Sequence, residues 1–142
     1  MKRYIFQYAA EPTRTGIIYR PKAKILLQSA ESDWYSFGVY VDSGADLSLF
    51  TKTDAKLLGL NLYHAEYRPI IGIGKILIPA YTHKVKMKIE ETTLNVNVAF
   101  ADSDEVPRLL GRTDIFIRFK ITFDEQKLQT IFETDENAAP YK

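Results

Sequence analysis

An apolar run, Val39-Tyr40-Val41, leads directly into Asp42-Ser43-Gly44-Ala45-Asp46. A carboxylate placed where a strand ends is a candidate for acid–base chemistry. The same string is also an ordinary turn, in which Asp and Ser bond nearby backbone and Gly supplies a positive φ. Two further segments stand out. Arg68-Pro69-Ile70-Ile71-Gly72-Ile73-Gly74-Lys75 sets two glycines around one residue between apolar stretches, which suits the tip of a flexible hairpin. It fails as a dinucleotide fingerprint: the third glycine is absent, and strand-like residues follow where a helix should begin. Pro107-Arg108-Leu109-Leu110-Gly111-Arg112 places two aliphatics and a glycine ahead of an arginine, with strand character before it. The similar Leu57-Leu58-Gly59-Leu60 reads more simply as a helix closed by glycine.

Composition closes off other chemistries. The 142 residues contain no Cys, which excludes a disulfide scaffold, a thiolate zinc site and a Cys nucleophile. The two histidines, His64 and His83, fall on different expected elements, so neither a paired metal site nor a Ser-His-Asp triad is legible. Nineteen Lys and Arg against 18 Asp and Glu give a net charge of +1, spread along the chain. That distribution announces neither a nucleic-acid-binding nor a membrane-coating surface. No apolar run approaches the roughly 18 residues of a membrane span. The start has the basic residues of a signal peptide, but Gln7 and Glu11 leave no adequate apolar stretch behind them. A soluble, cytoplasmic protein is expected, and Met1 suits one translated independently.

The elements that must position these residues are mostly strands. Val85, Met87 and Ile89 alternate with Lys84, Lys86, Lys88 and Glu90, the period of a half-buried strand. The alternation resumes at Leu94, Val96, Val98 and Phe100, so the two runs form a hairpin. A second hairpin joins Ile121–Phe123 to Leu128–Phe132, and further strands are expected over Arg3–Ala9, Ala23–Gln28, Tyr35–Val41 and Ile76–Tyr81. Thr51, with Asp54 three residues on, opens a short helix ending at Leu58 before Gly59. A second short helix is expected over Thr113–Phe119. Lys84, Lys86 and Lys88 read as a solvated face that protects a sheet edge. Trp34 and Tyr35 read chiefly as core.

In this order and spacing, Asp42-Ser43-Gly44-Ala45, Gly72-Ile73-Gly74 and Leu109-Leu110-Gly111-Arg112 resemble the motifs of the retropepsin-like aspartic proteases. The likeness covers residues 21–133. Residues 1–20 are then a strand-like N-terminal extension and 134–142 a polar C-terminal tail. Ile115–Asp124 looks most like the small stand-alone microbial members. The implied fold is mainly β: a closed acid-protease barrel with one or two short helices, one lobe per chain. The implied activity is that of an aspartic endopeptidase needing no cofactor or metal, in which a water lies between two carboxylates, one ionised and one protonated. This chain has a single Asp-Ser-Gly. Asp102-Ser103-Asp104 lacks the glycine, and Asp33 and Asp135 have no such context. The resemblance therefore implies a symmetric homodimer acting on a protein or peptide substrate, with Asp42 contributed by each subunit and an inert monomer.

Roles follow from the same resemblance. Ser43 bonds across the two-fold axis, Gly44 admits the substrate backbone and Ala45 leaves room beside it. Asp46 contacts the substrate main chain or pairs with Arg112, tying the site loop to Leu109-Leu110-Gly111. Gly72, Ile73 and Gly74 form a flap tip that closes over substrate, and Leu110 contributes to substrate binding. Ser43 stands where Thr is commoner, and Lys75 where many members have glycine. The dimer interface is expected to use the C-terminal hairpin Lys120–Phe132, with the Tyr4, Phe6 and Tyr8 strand adding to it or covering the cleft. Two other readings remain open: a catalytically silent peptide-binding or assembly module of the same fold, and a ligand-binding β-barrel carrying the motifs by chance.

Overall fold

A computed structural model describes residues 1–135; the greater part of the expected polar tail, from residue 136 on, lies outside the described residues. Strands dominate it. In chain order they are β1 (Lys2–Gln7), β2 (Ala9–Thr13), β3 (Gly16–Arg20), β4 (Lys22–Gln28), β5 (Trp34–Val41) and β6 (Ser48–Phe50). After α1 (Lys52–Leu57), the single α-helix among the described residues, come β7 (Glu66–Tyr67), β8 (Ile70–Ile71), β9 (Leu77–Ile78), β10 (Ala80–Ile89) and β11 (Thr92–Ala101). The last are β12 (Leu109–Leu110), β13 (Lys120–Asp124) and β14 (Gln129–Thr134). No helix among the described residues is long and apolar enough to cross a membrane.

Six strands close into a barrel in the order β11-β6-β12-β5-β4-β10, with β10 returning to pair with β11. The closure follows from the alternation. Val85, Met87 and Ile89 of β10 and Leu94, Val96 and Val98 of β11 turn inward, where they meet Ile25 and Leu27 of β4 and Phe37 and Val39 of β5. Each such side chain contributes about 1.5–3 kcal/mol by leaving water. The β10–β11 register runs from Ala80↔Ala101 to Ile89↔Thr92, and Glu90 takes φ +51° to make the tight turn. Lys84 and Lys86 face solvent as expected, while Lys88 lays its ammonium over the Trp34 ring, 4.3 Å from the centroid.

A second sheet, β1-β14-β13, covers one side of this core. Tyr4 and Phe6 turn inward from β1, and the Phe6 and Phe132 rings meet edge to face at 5.4 Å. Within the chain, β1 extends the C-terminal hairpin, pairing along its whole length with β14 from Lys2↔Thr134 to Gln7↔Gln129.

Helix α1 forms as the capping box implies. The Thr51 hydroxyl accepts from Asp54 N–H, the Asp54 carboxylate accepts from Thr51 N–H, both at 3.1 Å, and Gly59 follows at φ +70°. The helix expected over Thr113–Phe119 does not form. Two i→i+4 bonds close there, Phe116 N–H to Arg112 O and Phe119 N–H to Ile115 O, but Asp114 stands at φ +67° and interrupts them. Its carboxylate is held outside helical geometry by the Asn97 N–H (2.9 Å) and Nδ2 (3.1 Å) of β11. The segment is instead a coiled loop that buries Ile115 and Phe119 and leaves Ile117 exposed. The strand expected over Ile76–Tyr81 divides into β9 and the start of β10 at Pro79, which has no N–H for a ladder.

Candidate active site

Asp42 sits one residue beyond the end of β5, where three backbone bonds hold the strand in place. Tyr40 N–H donates to Arg108 O, Val41 N–H to Pro21 O and Asp42 N–H to Leu110 O, each at 3.0 Å. The chain then turns: Ala45 N–H donates to Asp42 O (3.3 Å), and Gly44 N–H donates to Asp42 Oδ1 (2.9 Å). That amide orients the half-buried carboxylate, while Ser43 and Gly44 are exposed.

The strap beneath this loop explains the Leu-Leu-Gly-Arg string. β12 runs parallel to β5, with Leu109 opposite Tyr40 and Leu110 opposite Val41, and the chain then passes directly under the Asp42 turn. A Cβ on Gly111 would lie 2.5 Å from both C and O of Leu47 and 2.9 Å from Ala45 O, so only glycine fits. Gly111 N–H donates to Ser48 Oγ (3.0 Å), Arg112 N–H to Ala45 O (2.9 Å) and Thr113 N–H to Asp46 O (2.8 Å). Arg112 Nη2 meets Asp46 Oδ1 at 2.6 Å, one of the two contacts expected of Asp46. Both side chains are exposed, so this pair adds about 0–1 kcal/mol. Backbone bonds and the glycine contact do most of the fastening.

One functional support was not legible in the sequence. Arg108 grips Asp54 with two bonds, Nε to Oδ2 at 2.8 Å and Nη2 to Oδ1 at 2.9 Å, and its guanidinium carbon lies 5.6 Å from the Phe37 ring centroid. The carboxylate holds the Arg108 pKa above its ordinary value. Asp54 is almost wholly buried, so one side chain both caps α1 and anchors the segment that leads into β12. The capping box had already given Asp54 a purpose, and no local pattern signals a partner 54 residues away.

Two clefts of about 400 Å³ each flank the loop. One runs from Gly44, Ala45 and Asp46 to Ile70 and Ile71 of β8. The other joins Asp42 to Tyr40, Pro107, Glu11 and Arg20. Leu109 lines both. Leu110, expected at the substrate, is fully buried in the barrel core, because alternate residues of a strand face opposite sides. β8 and β9 pair as Ile70↔Ile78 and Ile71↔Leu77, and a single tight turn over Ile73–Lys75 joins them. Ile73 at that tip is 99% exposed, and Gly74 and Lys75 both adopt positive φ. It is the base of this hairpin that walls the cleft; its tip stands clear.

No protein-family model and no curated protein matches the sequence. Among solved structures, the chain superimposes on a retropepsin-like aspartic protease from Rickettsia conorii with a TM-score of 0.63 and 21% identity, over 92% of this chain and 98% of that one. The fold is that of the retropepsin-like aspartic proteases. EIAV protease complexed with the inhibitor HBY-793 also matches, with a TM-score of 0.49 and 23% identity over 66% of this chain and 82% of that one.

Within the retropepsin-like barrel, the three motifs singled out in the sequence come together. Asp42-Ser43-Gly44 and Leu109–Arg112 are in direct contact, and the Gly72–Gly74 hairpin rises from the rim of the cleft beside them. The histidines stay apart from this site. His83 places Nε2 3.2 Å from Leu62 O and packs edge-on against Phe100, while His64 is exposed beside Asn61. Among the described residues no group of three or more His, Asp or Glu side chains is placed to hold a metal ion.

Proposed function

We propose that the chain is an aspartic endopeptidase that works as a homodimer, with Asp42 from each subunit meeting at the two-fold axis. The observation that carries this reading is Asp42 itself, a carboxylate oriented by the Gly44 amide on a loop wedged over Gly111 at the junction of two open clefts. One chain offers half of the required pair. Two carboxylates within a few ångströms do not both remain ionised, so the dimer's pair holds one proton.

The chemistry then needs only these groups and a water. The ionised carboxylate takes a proton from the water as its oxygen attacks the scissile carbonyl carbon, and the protonated partner donates to the carbonyl oxygen. Collapse of the resulting diol breaks the C–N bond, and a proton passes to the departing amine. Ser43 braces one loop against its twin. Gly44 and Ala45 leave space for the extended substrate, and Asp46, positioned by Arg112, meets its main chain. The Ile70–Ile78 hairpin serves as a flap, with Gly72, Ile73 and Gly74 at its tip excluding water when it closes. Apolar side chains such as Leu109 and Ile70 make the subsites.

The test is cleavage of an unfolded protein by wild type and Asp42→Asn from acidic to neutral pH, at several enzyme concentrations. Asp42→Asn should lose at least about a hundredfold in rate without losing its fold. Wild-type specific activity should fall where sizing shows monomer. Turnover that persists in Asp42→Asn would end this reading. A stable dimer inert towards many substrates would favour a peptide-binding module.

A further inference from the structure

The hairpin β2–β3 is the part of the molecule that this mechanism leaves unused. Its roots are firm. Before it, Tyr8 is buried, donating its N–H to Leu128 O (2.8 Å) and its hydroxyl to Glu125 Oε1 (3.0 Å). After it, Pro21 O receives the Val41 N–H beside the active-site loop. Between the roots, the hairpin runs in register from Ala9↔Arg20 to Thr13↔Gly16 and is secured to the body through Glu11. That carboxylate accepts from the Tyr40 hydroxyl (2.5 Å) and pairs with Arg20 Nε (3.2 Å). Every residue from Pro12 to Arg20 is exposed, and three consecutive ones are large and apolar: Ile17 (63%), Ile18 (41%) and Tyr19 (48%). A lone two-stranded hairpin is marginal in water, and it gains stability when an apolar face is covered.

The two faces of this hairpin differ. Paired residues share a face, so Glu11 lies with Ile18 and Ala9 with Arg20, on the side that walls the cleft containing Asp42. Ile17 and Tyr19 lie with Pro12 and Ala10 on the opposite side, turned away from that cleft. A peptide lying in the cleft meets the first face and not the second. Yet the hairpin springs from the rim of the site at which, on the dimeric reading above, the second subunit must bring its own Asp42. The geometry points to a second copy of this chain as the occupant of the outer face: β2–β3 is an arm, and its Ile17 and Tyr19 face packs on the partner subunit next to the shared active site. This rests on the homodimer reading and adds to it a specific part of the interface.

Because the chain has no cysteine, a single one can be placed at Ile17 and addressed alone. The full-length Ile17→Cys protein is labelled with a maleimide across a range of protein concentrations, and sedimentation gives the dimer dissociation constant in parallel. Labelling should slow at least about fivefold as the dimer forms. The double variant Ile17→Lys/Tyr19→Lys should raise the dissociation constant at least tenfold and lose peptidase activity at low concentration, regaining it at high concentration. Leu57→Lys, an exposed apolar position on α1, should change neither. If wild type dimerises but labelling is independent of concentration and the double variant dimerises normally, the arm is refuted while the peptidase reading stands. An unchanged dissociation constant with cleavage lost for particular peptides would assign the face to substrate and refute the arm. A wild type that never dimerises overturns both.

Discussion

Gly111 and Gly74 mark two regions that treat the backbone in opposite ways. Around Gly111, β12 and its strap lie so close to the Asp42 loop that no side chain fits, and four backbone N–H groups bind the segments together. At Gly74 a Cβ would meet nothing within 4 Å; there the demand is on the dihedral, φ +78°, at the tip of a hairpin held by two residue pairs. The first region is over-determined and keeps a carboxylate in one orientation. The second has few contacts to lose and can move cheaply, which suits the flap role proposed for it. One motif supplies precision and the other compliance, although both read as glycines between aliphatics.

This contrast can be broken at several points. The largest expected effect is Gly111→Ala, which drives a methyl into the Leu47 backbone. Urea denaturation should show a loss of more than about 3 kcal/mol or failure to fold. A mild effect there would show that the strap is looser than the contacts imply. Arg108→Ala comes next, since it removes two charge-assisted bonds from a buried carboxylate. It should lower stability by about 2 kcal/mol, and the loss should shrink if Asp54→Asn is already present. Ile73→Ser should leave the denaturation midpoint unchanged yet reduce kcat/KM about tenfold, or about 1.4 kcal/mol of transition-state stabilisation. An unchanged kcat/KM would remove the tip from the catalytic cycle. Smallest of all, Gly74→Ala should cost about 1 kcal/mol through its dihedral alone, with no change in packing. A loss as large as that of Gly111→Ala would erase the distinction.

How much was legible depended on how local the cause was. The β10–β11 hairpin could be read residue by residue, because burial on one face imposes a period of two whatever the partner. The α1 cap was equally plain, since Thr51 and Asp54 satisfy each other within one turn. Thr113–Phe119 misled for the converse reason. A short helix is expected there, but Asp114 answers to Asn97 on another strand, and that distant bond selects the left-handed conformation. Beyond the strand-like character of residues 1–20, the β2–β3 hairpin leaves little trace in the sequence, because Pro12 argues against a strand. Its turn rests on one Thr13 hydroxyl bonding Gly16 O, a signal too common to weigh. At the site, the segments were found but their order of importance was not: Arg112 stood out, whereas the buried anchor belongs to Arg108.

By itself the chain of residues dictated a mainly-β molecule, the three segments that converge, and the presence of only one Asp-Ser-Gly. The first and last follow from alternation and counting, and the three segments stand out through their resemblance to the motifs of a known family; none of these needs a partner in space. The three-dimensional structure alone decided that Leu109 and not Leu110 faces the clefts, that Gly111 is required for room and not for its dihedral, and that Asp54 serves the helix and the site together. Each of these depends on which atoms meet after the barrel has closed, and closure joins residues whose separation along the chain leaves no local trace.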